Sequence, residues 1–112
     1  MRKQIVRGHL DMLVLSVVAD GPAYGWAVVD ALKQRSDGAF DLPEGTVYPA
    51  LYRLENSGLL ASEWIDIKNR RRRVYRLTTA GKRALARQRS EWSAFADAVG
   101  AVLNRRKPWP AT

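Results

Sequence analysis

Six cations fall within the nine residues from Lys68 to Arg76, and four of them, Arg70, Arg71, Arg72 and Arg73, are consecutive. Guanidinium is permanently charged and presents a planar fork of N–H donors, so such a cluster suits phosphate recognition. The plainer alternative is a solvated, charged surface. About twenty residues earlier, Thr46, Tyr48, Pro49, Tyr52 and Arg53 crowd one short segment. On the outward face of a helix, Thr and Tyr can touch base edges, thymine methyls and phosphates, and Arg can reach guanine or phosphate. Tyr48 and Tyr52, four apart, are equally readable as half-buried packing residues with a polar tip. Catalytic sets are hard to find. His9 is the sole histidine and there is no cysteine, which excludes thiolate zinc sites, His-Glu-x-x-His and cysteine nucleophiles. No glycine-rich phosphate loop occurs, and the carboxylates are scattered: Asp37 and Asp41 flank a loop, while Glu91 and Asp97 lie on a charged helix face. His9 reads as structural rather than as a base. We expect no enzyme, no metal and no cofactor.

The elements that must position these residues follow from periodicity. Residues 9–19, HLDMLVLSVVA, are apolar around most of a helix, as in a central buried helix. Asp20-Gly21-Pro22 marks a turn, and a second helix is expected from Ala23, with Tyr24, Ala27, Val28, Ala31 and Leu32 on one face. A third helix lies within Pro43 to Ser57 on the stripe Val47, Leu51 and Leu54, closed by Gly58. Pro49 has no N–H to donate, so it is placed in or near the first turn. After Gly58 the period changes. Leu59 to Ile67 and Arg73 to Thr78 read as paired strands, joined by a polar, basic tip from Asp66 to Arg72 with Asn69 as a turn residue. In the second strand, alternation sends Arg73 and Tyr75 to one face and Val74 and Arg76 to the other.

Thr78 or Thr79 can cap a last helix from Ala80 to Arg106. It carries a heptad seam: Leu85, Trp92 and Val99, interleaved with Phe95 and Val102, broken once by Gln88. A helix of that length, about 40 Å, exceeds a small compact domain, so it must project and its seam then needs a partner chain. An aromatic-lined cavity between two chains is a second use of the same stripe.

The chain has 112 residues, room for a single domain, and a net charge of +8. That charge is lopsided. Residues 1–60 hold six basic and seven acidic side chains, and residues 61–112 hold thirteen and four. A local excess of this kind is the footprint of a polyanion partner. The longest apolar run, Met12 to Ala19, is eight residues, against the ~20 that a spanning helix needs. A signal peptide is not expected either, and the reading is of a soluble, cytoplasmic, nucleoid-associated protein with no membrane partner.

EGTVYPALYRLENSGLL at residues 44–60 and NRRRRVYRLTTAGKRAL at residues 69–85 resemble the PadR family of bacterial transcriptional regulators. GHLDMLVLSVVADGPAYGWAVVDAL at residues 8–32 is similar to the family's first two helices, including the Tyr24-Gly25 pair. The resemblance spans about residues 5–105 and favours the subfamily with one short C-terminal helix. It implies a mainly α fold with a small β-hairpin (α+β): a winged helix-turn-helix at residues 1–78 and a dimerisation helix at residues 79–106, while the tail at residues 107–112, with two prolines around Trp109, is expected to be disordered. It further implies a homodimer that represses promoters, often its own, and in several cases leaves double-stranded DNA on binding a small molecule. Trp92 and Met12 fall where a multidrug-binding member lines the pore that stacks planar aromatic ligands. Where that member has an acid one turn after the tryptophan, this chain has Ala96, with Asp97 beside it.

The resulting expectation is a sequence-specific DNA-binding regulator. DNA contacts fall on Thr46, Tyr48, Pro49, Tyr52, Arg53, Lys68, Arg70, Arg71, Arg72 and Arg73. A planar aromatic effector would meet Met12, Trp92, Phe95 and Ala96, and dimerisation would use Leu85, Trp92, Phe95, Val99 and Val102. Two alternatives stand beside it. One is a non-specific architectural DNA-binding protein; the other is a small-molecule-binding dimer whose DNA role is secondary.

Overall fold

A computed structural model describes residues 8–104 of the chain. Expectations for residues 1–7 and 105–112, including the end of the last helix and the tail, lie outside the described residues. In chain order the elements are α1 (Leu10–Val18), β1 (Ala23–Tyr24), α2 (Gly25–Arg35), α3 (Glu44–Asn56), β2 (Leu60–Ile67), β3 (Arg70–Leu77) and α4 (Thr79–Leu103). The fold is α+β: four described helices around a three-stranded antiparallel sheet of order β1-β3-β2.

α1 is the centre. Leu10, Val14, Leu15, Val17 and Val18 are buried, and α2, α3 and α4 all pack on it. Val28 and Leu32 of α2, Val47, Ala50, Leu51 and Leu54 of α3, and Ala84 and Leu85 of α4 complete the core. Each such Leu or Val buried stabilises the fold by about 1.5–3 kcal/mol. Leu85 is therefore taken up by the chain's own core, which corrects its assignment to the surface seam of the last helix.

One local expectation also changes. Residues 23–24 are not the start of α2 but a short strand, paired Ala23↔Tyr75 and Tyr24↔Val74. The pairing satisfies backbone groups on the edge of β3 that β2 leaves free. Pro49 sits near the first turn of α3, as expected, at the start of the second, since the helix begins at Glu44. The missing N–H leaves the Gly45 carbonyl without its helical partner, and Gly45 lies at the exposed surface where water can satisfy it.

α3 ends in a Schellman motif. Gly58 has φ +78°, its N–H donates to the Glu55 carbonyl (2.9 Å), and the Leu59 N–H donates to the Leu54 carbonyl (2.9 Å). That turn is also where the hairpin returns. The Thr78 N–H donates to the Leu59 carbonyl (3.2 Å), its hydroxyl donates to the Gly58 carbonyl (2.7 Å), and the same hydroxyl accepts from the Gly81 N–H (3.0 Å) as the cap of α4. α4 begins so close to this turn that a Cβ on Gly81 would lie 2.1 Å from the Leu59 carbonyl oxygen. Beyond Leu85 the helix leaves the core and projects, and the chain measures 72 × 28 × 20 Å.

Gly81→Ala forces backbone apart at this junction, a cost of at least the ~1–3 kcal/mol typical of overpacking. Thermal denaturation should show a midpoint lowered by about 4–8 °C per kcal/mol. A wild-type midpoint would mean that α4 does not start against the α3–β2 turn.

Candidate nucleic-acid interface

The buried stripe of α3 leaves the opposite side of the helix outward. Gly45, Pro49, Tyr52 and Asn56, spaced four, three and four apart, are all exposed, Tyr52 to 49%. Asn56 and Gly45 were missed in the sequence, although the spacing from Pro49 and Tyr52 marks both. Tyr48 lies to one side of this face, half-buried, in a small cleft of about 190 Å³ that opens between α3, the start of α2 and the wing. Thr46 and Arg53 lie on the other side. They line a separate groove shared with α1 and α4, and the Arg53 guanidinium is bonded to the Asp11 carboxylate there.

The wing differs from its expected form. The β2–β3 ladder runs from Leu60↔Leu77 to Ile67↔Arg70, so Arg70, Arg71 and Arg72 are strand residues, not tip residues. Only Lys68 and Asn69 form the tip, with φ +50° and +64°. Positive φ at both central positions is the two-residue turn whose twist matches an antiparallel pair. Since strand side chains alternate, the arginine run is split. Arg71 and Arg73 share a face with Trp64 and Tyr75, turned toward the cleft; Arg70 and Arg72 start from the other. Arg70 and Arg71 are exposed and Arg72 is half-buried at the cleft.

Arg73 is the most constrained of the four. Its Nη2 donates to Glu55 Oε1 (2.8 Å) and its Nε to Ser62 Oγ (2.8 Å), while the Ser62 hydroxyl donates to Glu55 Oε2 (2.5 Å). These three bonds close a ring between the last turn of α3 and the wing. The guanidinium carbon also lies 5.3 Å from the Trp64 ring centre, 5.8 Å from Tyr75 and 6.0 Å from Tyr52, within cation–π range. Arg71 lies 5.1 Å from Trp64, which is itself 54% exposed. Trp64 and Glu55 were not singled out in the sequence; Ser62 was not either.

Two phenols at the cleft are harder to ionise than usual. Burial pushes Tyr75 above the ordinary value of 10, opposed by Arg73 and reinforced by Tyr52, Glu55 and Tyr48. Burial likewise raises Tyr48, with Glu44 and Tyr52 adding to it and Arg72 opposing.

The second groove, of about 930 Å³, runs between the starts of α1 and α3 and the middle of α4. Met12, Trp92 and Phe95 line it; Ala96 does not. His9 packs edge-on against Trp92 with ring centres 5.0 Å apart, a packing role. Along α4, Trp92, Phe95, Val99 and Val102 are 43%, 59%, 36% and 76% exposed. The Gln88 side-chain carbonyl is buried at this groove with no partner among the described residues. Among those residues no group of three His, Cys, Asp or Glu could hold a metal ion, and no helix is long and apolar enough to cross a membrane.

This arrangement, a helix-turn-helix followed by a basic antiparallel wing and a projecting helix, is a winged helix-turn-helix. Residues 14–87 match the Transcriptional regulator PadR-like family, and the chain belongs to it. A transcriptional regulator of Mycobacterium tuberculosis is 36% identical over 87 residues, covering 78% of each chain. A PadR-family transcriptional regulator from Eggerthella lenta has a crystal structure that superposes with a TM-score of 0.79 at 40% identity, over 92% of this chain and 88% of that one. The structure of a transcriptional regulator from Clostridium thermocellum gives 0.82 at 25% identity, over 96% and 99%. Membership implies regulation of transcription through DNA binding.

The phenols give a pH test. Above pH about 10 the unfolded chain sheds phenolic protons that folded Tyr75 and Tyr48 still hold, so the unfolded state binds fewer protons and stability falls as pH rises. Below that pH their contribution is complete. Thermal melts from pH about 9 to about 11 should fall less steeply for Tyr75→Phe than for wild type. Equal slopes would mean that the phenol ionises as readily folded as unfolded.

Proposed function

We propose that the chain is a sequence-specific repressor that binds a pseudo-palindromic promoter site as a homodimer and does no catalysis. The observation that carries this reading is the pairing of an exposed α3 face, Pro49, Tyr52 and Asn56, with a wing whose Arg70, Arg71 and Arg72 enter no ion pair among the described residues. α3 enters the major groove, where Tyr48 and Tyr52 meet bases or phosphates. Lys68 and the outer arginines of the wing meet phosphates and the neighbouring minor groove. In a dimer the two recognition helices address half-sites about 34–36 Å apart, or a multiple of that. The protein acts on DNA in the cytoplasm.

Dimerisation is supported by the exposed stripe Trp92, Phe95, Val99 and Val102, since a contiguous apolar patch on a projecting helix calls for a partner surface. An effector is supported by the groove behind it. A planar aromatic molecule fits between Met12, Trp92 and Phe95, with the unpartnered Gln88 carbonyl ready to accept a hydrogen bond. The same groove is bordered by Thr46 and Arg53 of α3, so an occupant acts directly on the recognition helix. A near-complete switch requires about 5.5 kcal/mol of preference for the released state.

Binding is measured to the chain's own upstream promoter fragment and to a scrambled duplex, both at ~0.15 M salt. A preference of ~10³ or more is expected, and equal affinities would favour the architectural alternative. Tyr52→Ala should erode that preference, whereas Arg70→Gln, Arg71→Gln and Arg72→Gln should weaken both duplexes alike, each reducing the salt slope by about 1. Val102→Asp should shift the protein to monomer in analytical ultracentrifugation. A dimer unaffected by it would move the interface off this stripe.

A further inference from the structure

Of the four consecutive arginines, Arg73 is the one that the fold has already engaged. The side edge of its fork is bonded, Nη2 to Glu55 and Nε to Ser62, and Tyr52, Trp64 and Tyr75 surround it. Its side chain is 34% exposed and that of Glu55 is 23% exposed. Turning Arg73 out to a phosphate would strand a half-buried carboxylate and leave the Ser62 hydroxyl without its donor. Arg71, two residues toward the tip on the same face, can reach outward at no such cost. The carboxylate belongs to the last turn of α3, whereas Ser62 and Arg73 belong to the wing, so the ring of bonds spans the two elements that meet DNA.

We propose that Arg73 and Glu55 form a positioning pair that sets the angle of the wing against the recognition helix, and thereby the operator specificity of the protein. Arg73 on this account is not a phosphate contact. The proposal rests on the DNA-binding reading above and assigns that reading a specificity-determining pair. Its chemistry requires arginine: Lys supplies the charge but not two adjacent N–H donors fixed in one plane. It also requires a carboxylate, because both Glu55 oxygens accept, one from Arg73 and one from Ser62.

The test uses the full chain with Arg73→Lys, Arg73→Gln, Glu55→Gln and the Lys/Gln double variant. Each is titrated with operator and scrambled duplex across a salt series, and followed by hydrogen exchange and thermal melting. Arg73→Lys should lower the operator-to-scrambled preference about tenfold or more, with the scrambled affinity and salt slope unchanged. Glu55→Gln should do the same, and the double variant should add little to either, as members of one network behave. Amide exchange should quicken across residues 62–73 and stay unchanged in α1. The proposal is overturned if Arg73→Lys keeps the preference while Arg73→Gln reduces the salt slope by about 1, or if Glu55→Gln tightens both duplexes. Exchange that rises equally in α1 also overturns it, because the pair is then a general stabiliser. If wild type itself shows no operator preference, the DNA reading fails on that result alone. Unchanged wing exchange in Arg73→Lys and Glu55→Gln would still separately overturn the positioning role.

Discussion

The constraint from which the rest follows is that α1 has almost no polar side to show to water. Val14 and Leu15 are fully buried, and Leu10, Val17 and Val18 nearly so. A helix of this kind must be covered on several sides, and α2, α3 and α4 supply the cover. Covering α1 uses the Val47–Ala50–Leu51–Leu54 stripe of α3 and the first two turns of α4. What each helix has left is therefore decided by what α1 takes. α3 is left with Gly45, Pro49, Tyr52 and Asn56 outward, and α4 with most of its length beyond Gln88.

The covering also gives α3 two different flanks. Tyr48 and Glu55 look toward the wing, where Glu55 is bound to Ser62 and Arg73. Thr46 and Arg53 look toward α1 and α4, where Arg53 is bound to Asp11. One thirteen-residue helix thus touches both the cleft beside the wing and the larger aromatic-lined groove. The groove and the cleft therefore lie on two flanks of the same helix, with no other element between them.

Much of this was legible in the sequence. The apolar run of α1, the stripe of α3 and Gly58 behind it carry their own periodicity, and the elements appear where that periodicity puts them. The alternation along β3 also separates Arg73 and Tyr75 from Val74 and Arg76 as expected. The shortfalls have physical causes. A two-residue turn usually shows itself by glycine, and here Lys68-Asn69 makes it without one, so the arginines beside it looked like loop. The strand at Ala23–Tyr24 is too short to show any period and exists because β3 offers it an edge. Leu85 belongs to the heptad of α4 and equally to the core; only three-dimensional placement decides between them. Ser62 and Glu55 are unremarkable in the chain and become partners through the turn that brings the end of α3 against the wing.

The charge run shows why counting cations overstates what they do. Four adjacent arginines suggest four equal contacts, yet strand alternation and neighbours give them separate fates. Arg70 stands opposite Ile67 on one face of the wing, Arg71 lies over Trp64 on the other, and Arg72 lines the cleft near Tyr48. Arg73 is bound by a carboxylate, so the pair it forms adds little net field toward a polyanion. The field outside the wing comes from the cations that enter no ion pair among the described residues. The one it has paired ties the wing to the last turn of α3.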